Sequence, residues 1–313
     1  MASVYHIYRR ARREDIRRSM PLWAQDRALY DADVWASLPA LLEDLMARDL
    51  LSFAIVESLP GDAPRLLGGI AFIQPDYIDR NRIGPSTLPN AVLRAALQNR
   101  DPLLGPKEVG EQNARGELHL LNFFGNMRVI DLANPDLANF YQTSNEGYRF
   151  FHFGYAFCAM WFEVWPTHHV SELQQNGMQI EGHRSLAGGS SATLLRLTRE
   201  DALANPYARF AGYFFPPKPQ FAFSLGEQRL LEYVLLDASD DEAAQELHVS
   251  KDGIKKRWRS IYAKVDTADP ELLGSITSST ARRRTIMHYL RQHLEELRPY
   301  RATLNKSLAT DRG

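Results

Sequence analysis

The chain has 313 residues, of which 44% are hydrophobic and 24% charged, and its formal net charge is −1 at pH 7. This length exceeds that of one ordinary domain, and the composition suits a globular protein with a substantial core. The overall charge does not indicate a basic nucleic-acid protein, so local charge must decide that question. Cys158 is the only cysteine, which excludes an intramolecular disulfide, and we interpret it as a small buried residue.

No apolar stretch reaches the roughly 18 residues that a membrane span requires. The arginine-rich start also lacks the apolar core of a secretion signal. We therefore expect a cytoplasmic protein with no membrane contact.

Residues 1–213 alternate between helical and strand patterns. The alternation favours an α+β or α/β domain over a helical bundle. The stretch 81–116 is rich in Gly, Pro and Asn, which predicts a loop-like excursion with one helix. Apolar spacing predicts helices near 13–30, 33–48, 89–98 and 148–161, and strands near 52–57, 66–73, 118–124 and 193–197.

Aromatic residues are dense between 140 and 165. Such a stretch can line an apolar cavity for a small-molecule effector, or it can form a packed core. The residue types alone leave both interpretations open. The candidate ligand-binding residues are Tyr148, Phe151, Tyr155 and Trp161.

Three prolines, Pro216, Pro217 and Pro219, mark a boundary. Proline disfavours helix and stiffens an extended connection. We expect a linker at 214–220 between the mixed region and an all-α region that begins at 221.

Residues 221–267 have the pattern of three short helices. Ser224 with Glu227 has the spacing of a capping box, Ser239 or Asp240 can cap a second helix, and Ser250 can cap a third. The third helix, from 251 to about 265, repeats apolar residues at helical spacing. These residues are Ile254, Trp258, Ile261 and Val265.

The third helix is also basic on the side opposite its apolar stripe. Residues 251–264 contain six basic residues and one acidic residue, whereas 237–246 contains five acidic residues and no basic ones. An amphipathic helix of this kind can pack by one face and offer the other to phosphates.

This segment resembles the LuxR-type helix-turn-helix. Ser239-Asp240-Asp241-Glu242-Ala243-Ala244 follows the family's second-helix pattern, with Asp241 where Lys is common, and Ser250, Gly253, Ile254, Lys255 and Arg257 follow its recognition helix. The resemblance implies that residues 251–264 enter the major groove of double-stranded DNA and that the protein binds as a homodimer. The implied contacts are Ser250, Lys251, Lys255, Lys256, Arg257, Arg259, Tyr262 and Lys264, of which Lys255, Lys256 and Arg259 are the best candidates and Arg257, Tyr262 and Lys264 are expected on phosphates.

The N-terminal region resembles the Gcn5-related N-acetyltransferase fold. The resemblance rests on Tyr8 to Ala11 with Asp15, on Phe53 to Glu57, on Leu66 to Phe72, and on His169 to Met178. It implies an acetyl-CoA site after the fourth strand, where backbone amides bind the pyrophosphate. There the chain has Met127-Arg128-Val129-Ile130-Asp131-Leu132 and lacks the family's paired glycines, so we expect a sensor on this scaffold.

Beyond 267 the sequence predicts a helical extension to 301 and a disordered tail at 302–313. The extension can contribute to a dimer, contact flanking DNA, or pack on its own domain. Arg282-Arg283-Arg284 opens its predicted helix, and Pro299 ends it.

Other chemistry finds little support in the sequence. His168 and His169 lack neighbouring ligands at metal spacing, and no nucleophile-elbow pattern is present. We assign no catalytic residue, no metal and no cofactor, except acetyl-CoA under the acetyltransferase alternative.

The main prediction is a dimeric DNA-binding regulator with an N-terminal domain that senses a small molecule or a protein. One alternative is an acetyltransferase fused to a DNA-binding domain. Another is a helix-turn-helix used as a protein-interaction module.

Overall fold

A computed structural model describes residues 5–59, 64–127, 135–165, 170–186, 189 and 191–301. The predicted disordered tail at 302–313, the segment 128–132 and the histidines 168 and 169 lie outside the described residues.

The described residues contain seven strands, which form one sheet in the order β1-β2-β3-β4-β5-β7-β6. In this sheet β4 and β5 are parallel, and the other neighbouring pairs are antiparallel. The mixed α+β class predicted for the N-terminal region is confirmed. The strands are β1 (Tyr5–Arg10), β2 (Leu51–Leu59), β3 (Pro64–Phe72), β4 (Leu118–Met127), β5 (Phe157–Val164), β6 (Gln179–Ser185) and β7 (Ser191–Thr198).

The parallel pair requires a crossover, because two parallel strands cannot be joined by a tight turn. Helix α7 (Pro135–His152) provides it and packs against β1 and β2. Gly147 permits this close approach, since a Cβ there would lie 2.9 Å from the Cβ of Tyr8.

Successive residues of a strand point to opposite faces of a sheet. Leu121 and Phe123 of β4 therefore join one hydrophobic cluster, while Leu118 and Leu120 join another. Helices on the Leu121 side are α1 (Arg13–Arg18), α2 (Met20–Trp23), α3 (Ala32–Ala47), α4 (Pro75–Asn81) and α5 (Leu88–Leu97).

The Leu118 side holds the larger cluster, which continues into the C-terminal helices. Residues 199–301, all of which the structure describes, contain helices and turns but no strand. The remaining helices are α6 (Pro106–Arg115), α8 (Val170–Gln175), α9 (Arg199–Ala204), α10 (Leu225–Leu235), α11 (Asp240–Glu246), α12 (Lys251–Ala268), α13 (Pro270–Leu273) and α14 (Ser279–Gln292), with 3₁₀ turns at Ala24–Leu29, Ala211–Phe214 and Leu294–Leu297.

Residues 294–301 contact both the sheet-bearing part and the helical part of the molecule. We call residues 294–301 the C-terminal strap. Asn113 of α6 donates to the carbonyl of Pro299 at 2.8 Å, and the amide of Arg301 donates to the carbonyl of Gly110 at 2.9 Å. The strap therefore lies between α6 and α10, next to the large cluster.

The prediction of one helix over 148–161 is wrong. Helix α7 ends at His152, and Gly154 then turns the chain with φ of 97°, a conformation that favours glycine. Residues 157–161 belong to β5, in the interior of the sheet. A continuous apolar run fits a buried strand as well as a buried helix, and periodicity alone does not distinguish them.

The stretch 81–116 contains more structure than the sequence predicted. The helix predicted at 89–98 is confirmed as α5, but α6 follows it. Helix α6 begins with Pro106 in its first turn. It is followed by Gly116, whose φ is 72°, and both are common signals of helix termini.

The predicted linker at 214–220 begins inside the core. Phe214 is 1% exposed and packs its ring edge against Phe157 of β5. Phe221 and Phe223 then enter the same cluster from the helical side. A continuous apolar contact therefore joins the sheet to the helices that follow.

Candidate functional site

Helix α12 has one buried face and one exposed face. Its four predicted apolar residues, Ile254, Trp258, Ile261 and Val265, are all buried. Ser250 caps the helix by accepting a hydrogen bond from the amide of Gly253 at 3.1 Å. The predicted start, cap and packing stripe of this helix are confirmed, and the helix continues past the predicted end to Ala268.

The exposed face of α12 carries four cations, namely Lys251, Lys255, Lys256 and Arg259. Lys251 lies 2.7 Å from Asp241, and Lys255 lies 3.5 Å from Asp252. Exposed pairs such as these contribute only about 0 to 1 kcal/mol, so a phosphate can displace either carboxylate. Within the described ranges, Lys256 and Arg259 form no ion pair.

Three other predicted contacts have partners within the chain. Arg257 donates to the carbonyl of Gly226 at 3.3 Å. Tyr262 stacks on Trp258 with ring centroids 5.7 Å apart. Lys264 lies 2.6 Å from Glu227 of α10. These three residues hold α12 against the neighbouring C-terminal helices. Of the residues predicted to contact DNA, the four exposed cations are therefore the most accessible.

The Lys264 contact also fixes the charge of Glu227. Burial raises the pKa of this carboxyl, but hydrogen bonds from Lys264, Ser260 and Ser224 outweigh burial and lower the pKa below its ordinary value. Glu227 is therefore ionised near neutral pH. It also accepts from the amide of Ser224 at 2.6 Å, which completes the predicted capping box of α10.

The sequence did not predict the role of Arg283. Its guanidinium lies 4.7 Å from the centre of the Trp258 ring and 2.9 Å from Asp240 at the start of α11. Asp240 also accepts from the Trp258 indole at 3.4 Å. Arg283, in the arginine run of the first half of α14, therefore packs against the buried side of α12. The run of three arginines was visible in the sequence, but its partner was not.

The four aromatic residues predicted to bind a ligand are not gathered in one cavity. Trp161 lies on the side of the sheet opposite the other three residues, and the guanidinium carbon of Arg196 lies 5.6 Å from the centre of its ring. Tyr148 stacks on His152 in the packed aromatic cluster of the other side. Phe151 and Tyr155 line a cavity of about 60 Å³ between the sheet and α10. Known small-molecule pockets are roughly 300 to 1,000 Å³, so this cavity does not admit a drug-sized effector.

The parallel strands β4 and β5 separate part of the way along their length. Among the described residues their pairing ends at Asn122 and Phe162, after which β4 pairs only with β3 and β5 only with β7. Tyr148 donates to the Asn122 side chain at 3.2 Å. Burial raises the pKa of Tyr148 well above its ordinary value, so its hydroxyl remains a donor at neutral pH.

Aromatic side chains fill the space beside that separation. The rings of Tyr213 and Tyr148 pack edge to face with their centres 5.8 Å apart. The ring centres of Phe210 and Phe162 are 5.6 Å apart. Residues 128–132, where the acetyltransferase resemblance would put a pyrophosphate site, are not among the described residues.

Among the residues that the structure places, no group of three or more His, Cys, Asp or Glu could hold a metal ion. Cys158 is half-buried on β5 and forms no disulfide. Over the same part of the chain, no helix combines the length and apolarity needed to cross a membrane.

Comparison with protein-family models and with curated proteins found no match. Among solved structures, the chain is similar to FeeM, an N-acyl amino acid synthase from uncultured soil microbes, with 13% identity and a TM-score of 0.38 over 66% of this chain and 98% of that one. A TM-score of this size does not establish a shared fold. The LuxR-type resemblance of the C-terminal helices stays a prediction.

Proposed function

We propose that the protein is a DNA-binding transcriptional regulator of LuxR type whose helix α12 enters the major groove. The observation that carries this proposal is the exposed face with Lys251, Lys255, Lys256 and Arg259, opposite a fully buried stripe. The major groove of B-DNA, about 12 Å wide, accepts one α-helix. A helix held rigidly by its apolar side can present its cations to that groove.

The exposed cations have different capacities. An arginine can grip a guanine edge with two hydrogen bonds, whereas lysine more often contacts phosphate. Arg259 is therefore the proposed base-reading residue, and Lys255 and Lys256 position the helix. Lys251 is tied to Asp241, which stands where the family commonly has lysine.

The C-terminal extension is better suited to contact flanking DNA than to form a dimer. The apolar residues Ile286 and Leu290 of α14 are buried within the chain, and α14 packs on α10. The exposed side of α14 carries Arg284, His288 and Arg291, spaced four and three residues apart on one helical face. Such a face attracts phosphate and repels its own copy. Dimerisation remains part of the proposal, and it would use another surface.

DNA binding is tested by fluorescence anisotropy with genomic fragments at several salt concentrations. If about five phosphates are contacted, log affinity falls with log salt at a slope near −4 to −5. Lys256→Ala and Arg259→Ala should weaken binding, whereas Arg80→Ala, the same charge change on exposed α4, should not. Absence of salt-dependent binding would leave the protein-interaction hypothesis in its place.

A second candidate function is acyl transfer from acetyl-CoA. The observation that favours it is the separation of β4 from β5 at Asn122, in a sheet with a single parallel pair. The aromatic residues beside the separation weigh against an open site. Calorimetric titration with acetyl-CoA tests this candidate, and micromolar binding would favour the transferase over the sensor.

A further inference from the structure

A small cavity lies where the sheet meets the C-terminal helices. Its volume is about 60 Å³. The charged groups on its wall come from β1, from the turn before β2, from α10 and from the C-terminal strap. They are Arg10, Asp49, Arg229, Glu232 and Arg298.

One wall of the cavity is a buried ion pair between β1 and α10. Arg10 donates from Nε and Nη2 to the two carboxylate oxygens of Glu232, both at 2.8 Å, and from Nη1 to Ser52 at 2.6 Å. Burial raises the pKa of Glu232, but the charge of Arg10 outweighs burial and lowers it. Glu232 is therefore ionised, and its charge is balanced by Arg10.

The facing wall is a second buried guanidinium, which shares the charge of Glu232 with Arg10 and makes a side-chain hydrogen bond with Tyr155, but has no ion-pair partner of its own among the described residues. Arg298 is 2% exposed. It donates from Nε to the carbonyl of Phe153 at 2.8 Å and from Nη2 to the carbonyl of Phe150. Its guanidinium carbon lies 5.0 Å from the centre of the Tyr155 ring. No carboxylate of the described residues lies within ion-pair distance of it.

The charges around the cavity do not cancel. The carbonyl oxygens at the C-terminal end of α7 offset only part of the charge on Arg298, since a helix end carries about half a unit charge. At the mouth, Arg229 pairs with Asp49, so that pair adds nothing. The strap carboxylates Glu295 and Glu296 do not line the cavity; Glu295 contacts His293, and Glu296 accepts from the amides of Gln220 and Phe221. A buried positive charge without a full partner is costly.

We propose that this cavity is a binding site for a small oxyanion, either a carboxylate or a phosphate-sized ion. The anion would lie between Arg10 and Arg298 and complete their charge balance. At roughly 10 to 15 Å³ per water-sized group, a cavity of about 60 Å³ admits about four to six non-hydrogen atoms. Acetate and inorganic phosphate fall in this range, and guanidinium groups suit both because their donors form a planar fork.

The position of the cavity gives the anion a regulatory role, and this part rests on the proposed DNA-binding function. Arg10 belongs to the sheet, Glu232 to α10, and Arg298 to the strap. An anion bound between them would strengthen contact of the DNA-binding helices with the sheet. Its loss would leave two guanidinium groups facing one carboxylate and weaken that contact.

Isothermal titration of the full chain with acetate and with phosphate, against chloride at equal ionic strength, tests the site. We expect an oxyanion to bind with 1:1 stoichiometry and chloride to give no comparable heat. Arg298→Met should weaken binding by at least about tenfold, because it removes a charge-assisted donor. Arg100→Gln, an exposed arginine outside the cavity, should bind as the wild type does. Equal heats for oxyanion and chloride would overturn the proposal.

Two changes at the mouth keep the test decisive if Arg298→Met does not fold. Arg229→Gln leaves Asp49 unbalanced and should weaken oxyanion binding several-fold. Asp49→Asn leaves Arg229 unbalanced and should strengthen it. A purely structural role for these residues would not shift binding in opposite directions, so parallel shifts would contradict the site.

The regulatory part has its own measurement. DNA affinity is compared with and without the better oxyanion at constant ionic strength, in the wild type and in Asp49→Asn. We expect the oxyanion to change DNA affinity, and at a lower concentration in Asp49→Asn. Oxyanion binding with unchanged DNA affinity would overturn the coupling alone, whereas absence of DNA binding would overturn the proposed function and leave the oxyanion site standing.

Discussion

His152 is buried without the charge that histidine often carries. Burial lowers its pKa to about 3, the charge of Arg298 adds to this effect, and the hydrogen bond to the carbonyl of Tyr148 opposes it. The ring stacks on Tyr148 at 3.7 Å. Its Nδ1 lies 2.8 Å from that carbonyl and donates to it.

This burial makes folding depend on pH. The unfolded histidine takes up a proton below about pH 6.5, whereas the folded one remains neutral until far lower pH, so stability falls as pH decreases. Between pH 7 and pH 5 the free energy of unfolding should fall by about 2 kcal/mol more in the wild type than in His152→Phe. Urea denaturation at both pH values measures this, and groups common to both proteins cancel. His288→Gln, at an exposed position, should keep the wild-type difference.

Trp258 is the largest side chain in the buried stripe of α12. It is 6% exposed and contacts Tyr262 and Arg283. Trp258→Ala should lower the free energy of unfolding by about 3 to 5 kcal/mol. Lys256→Ala, two residues away on the exposed face, should change it by less than about 0.5 kcal/mol. A large loss of stability in Lys256→Ala would mean that the faces of α12 are assigned in reverse.

At the scale of elements, serine caps define the starts of three C-terminal helices. Ser224, Ser239 and Ser250 each accept from an amide three residues on. Ser250→Ala should destabilise the protein by about 1 kcal/mol, and Ser250→Asp should not, because aspartate also caps. Thermal unfolding measures both. If Ser250 also faces phosphate, Ser250→Asp should still weaken DNA binding, which separates the two roles.

The C-terminal helices were predictable because their signals are local. A cap, a spacing of four, three and four, and a cluster of cations all lie within a few residues of each other. Strands β2, β3, β4 and β7 were predictable for the same reason. β5 was not, because the Gly154 turn lies inside one apolar run. The residues predicted to bind a ligand do not share one site for a related reason. Tyr155 packs on one side of the sheet and Trp161 on the other.

At the scale of the whole molecule, the sheet and the helices share one core. The sequence predicted a linker between two domains, and the prolines are present, but Phe214 and Phe221 continue the core across them. No local pattern could predict the pair of Arg10 and Glu232, which are 222 residues apart in the chain.

That pair should behave as a coupled unit. Glu232→Gln alone should cost about 3 to 5 kcal/mol, because it leaves Arg10 buried without its carboxylate. The double variant with Arg10→Met and Glu232→Gln should lose much less stability than the two single variants lose together. The double-mutant cycle should therefore give an interaction energy above about 1 kcal/mol. Urea denaturation of the four proteins measures this. Additive losses would show that the sheet and α10 are not joined through this contact.

The C-terminal strap has a consequence for synthesis of the chain. The seven strands are complete once residue 198 has been made, yet Arg298 is needed to occupy the end of α7, about a hundred residues later. Domains fold from the N-terminus as the chain emerges at about 5 to 20 residues per second. At that rate we expect the sheet face that receives α10 and the strap to stay open to solvent for several seconds, until residues 294–301 have been made and cover it.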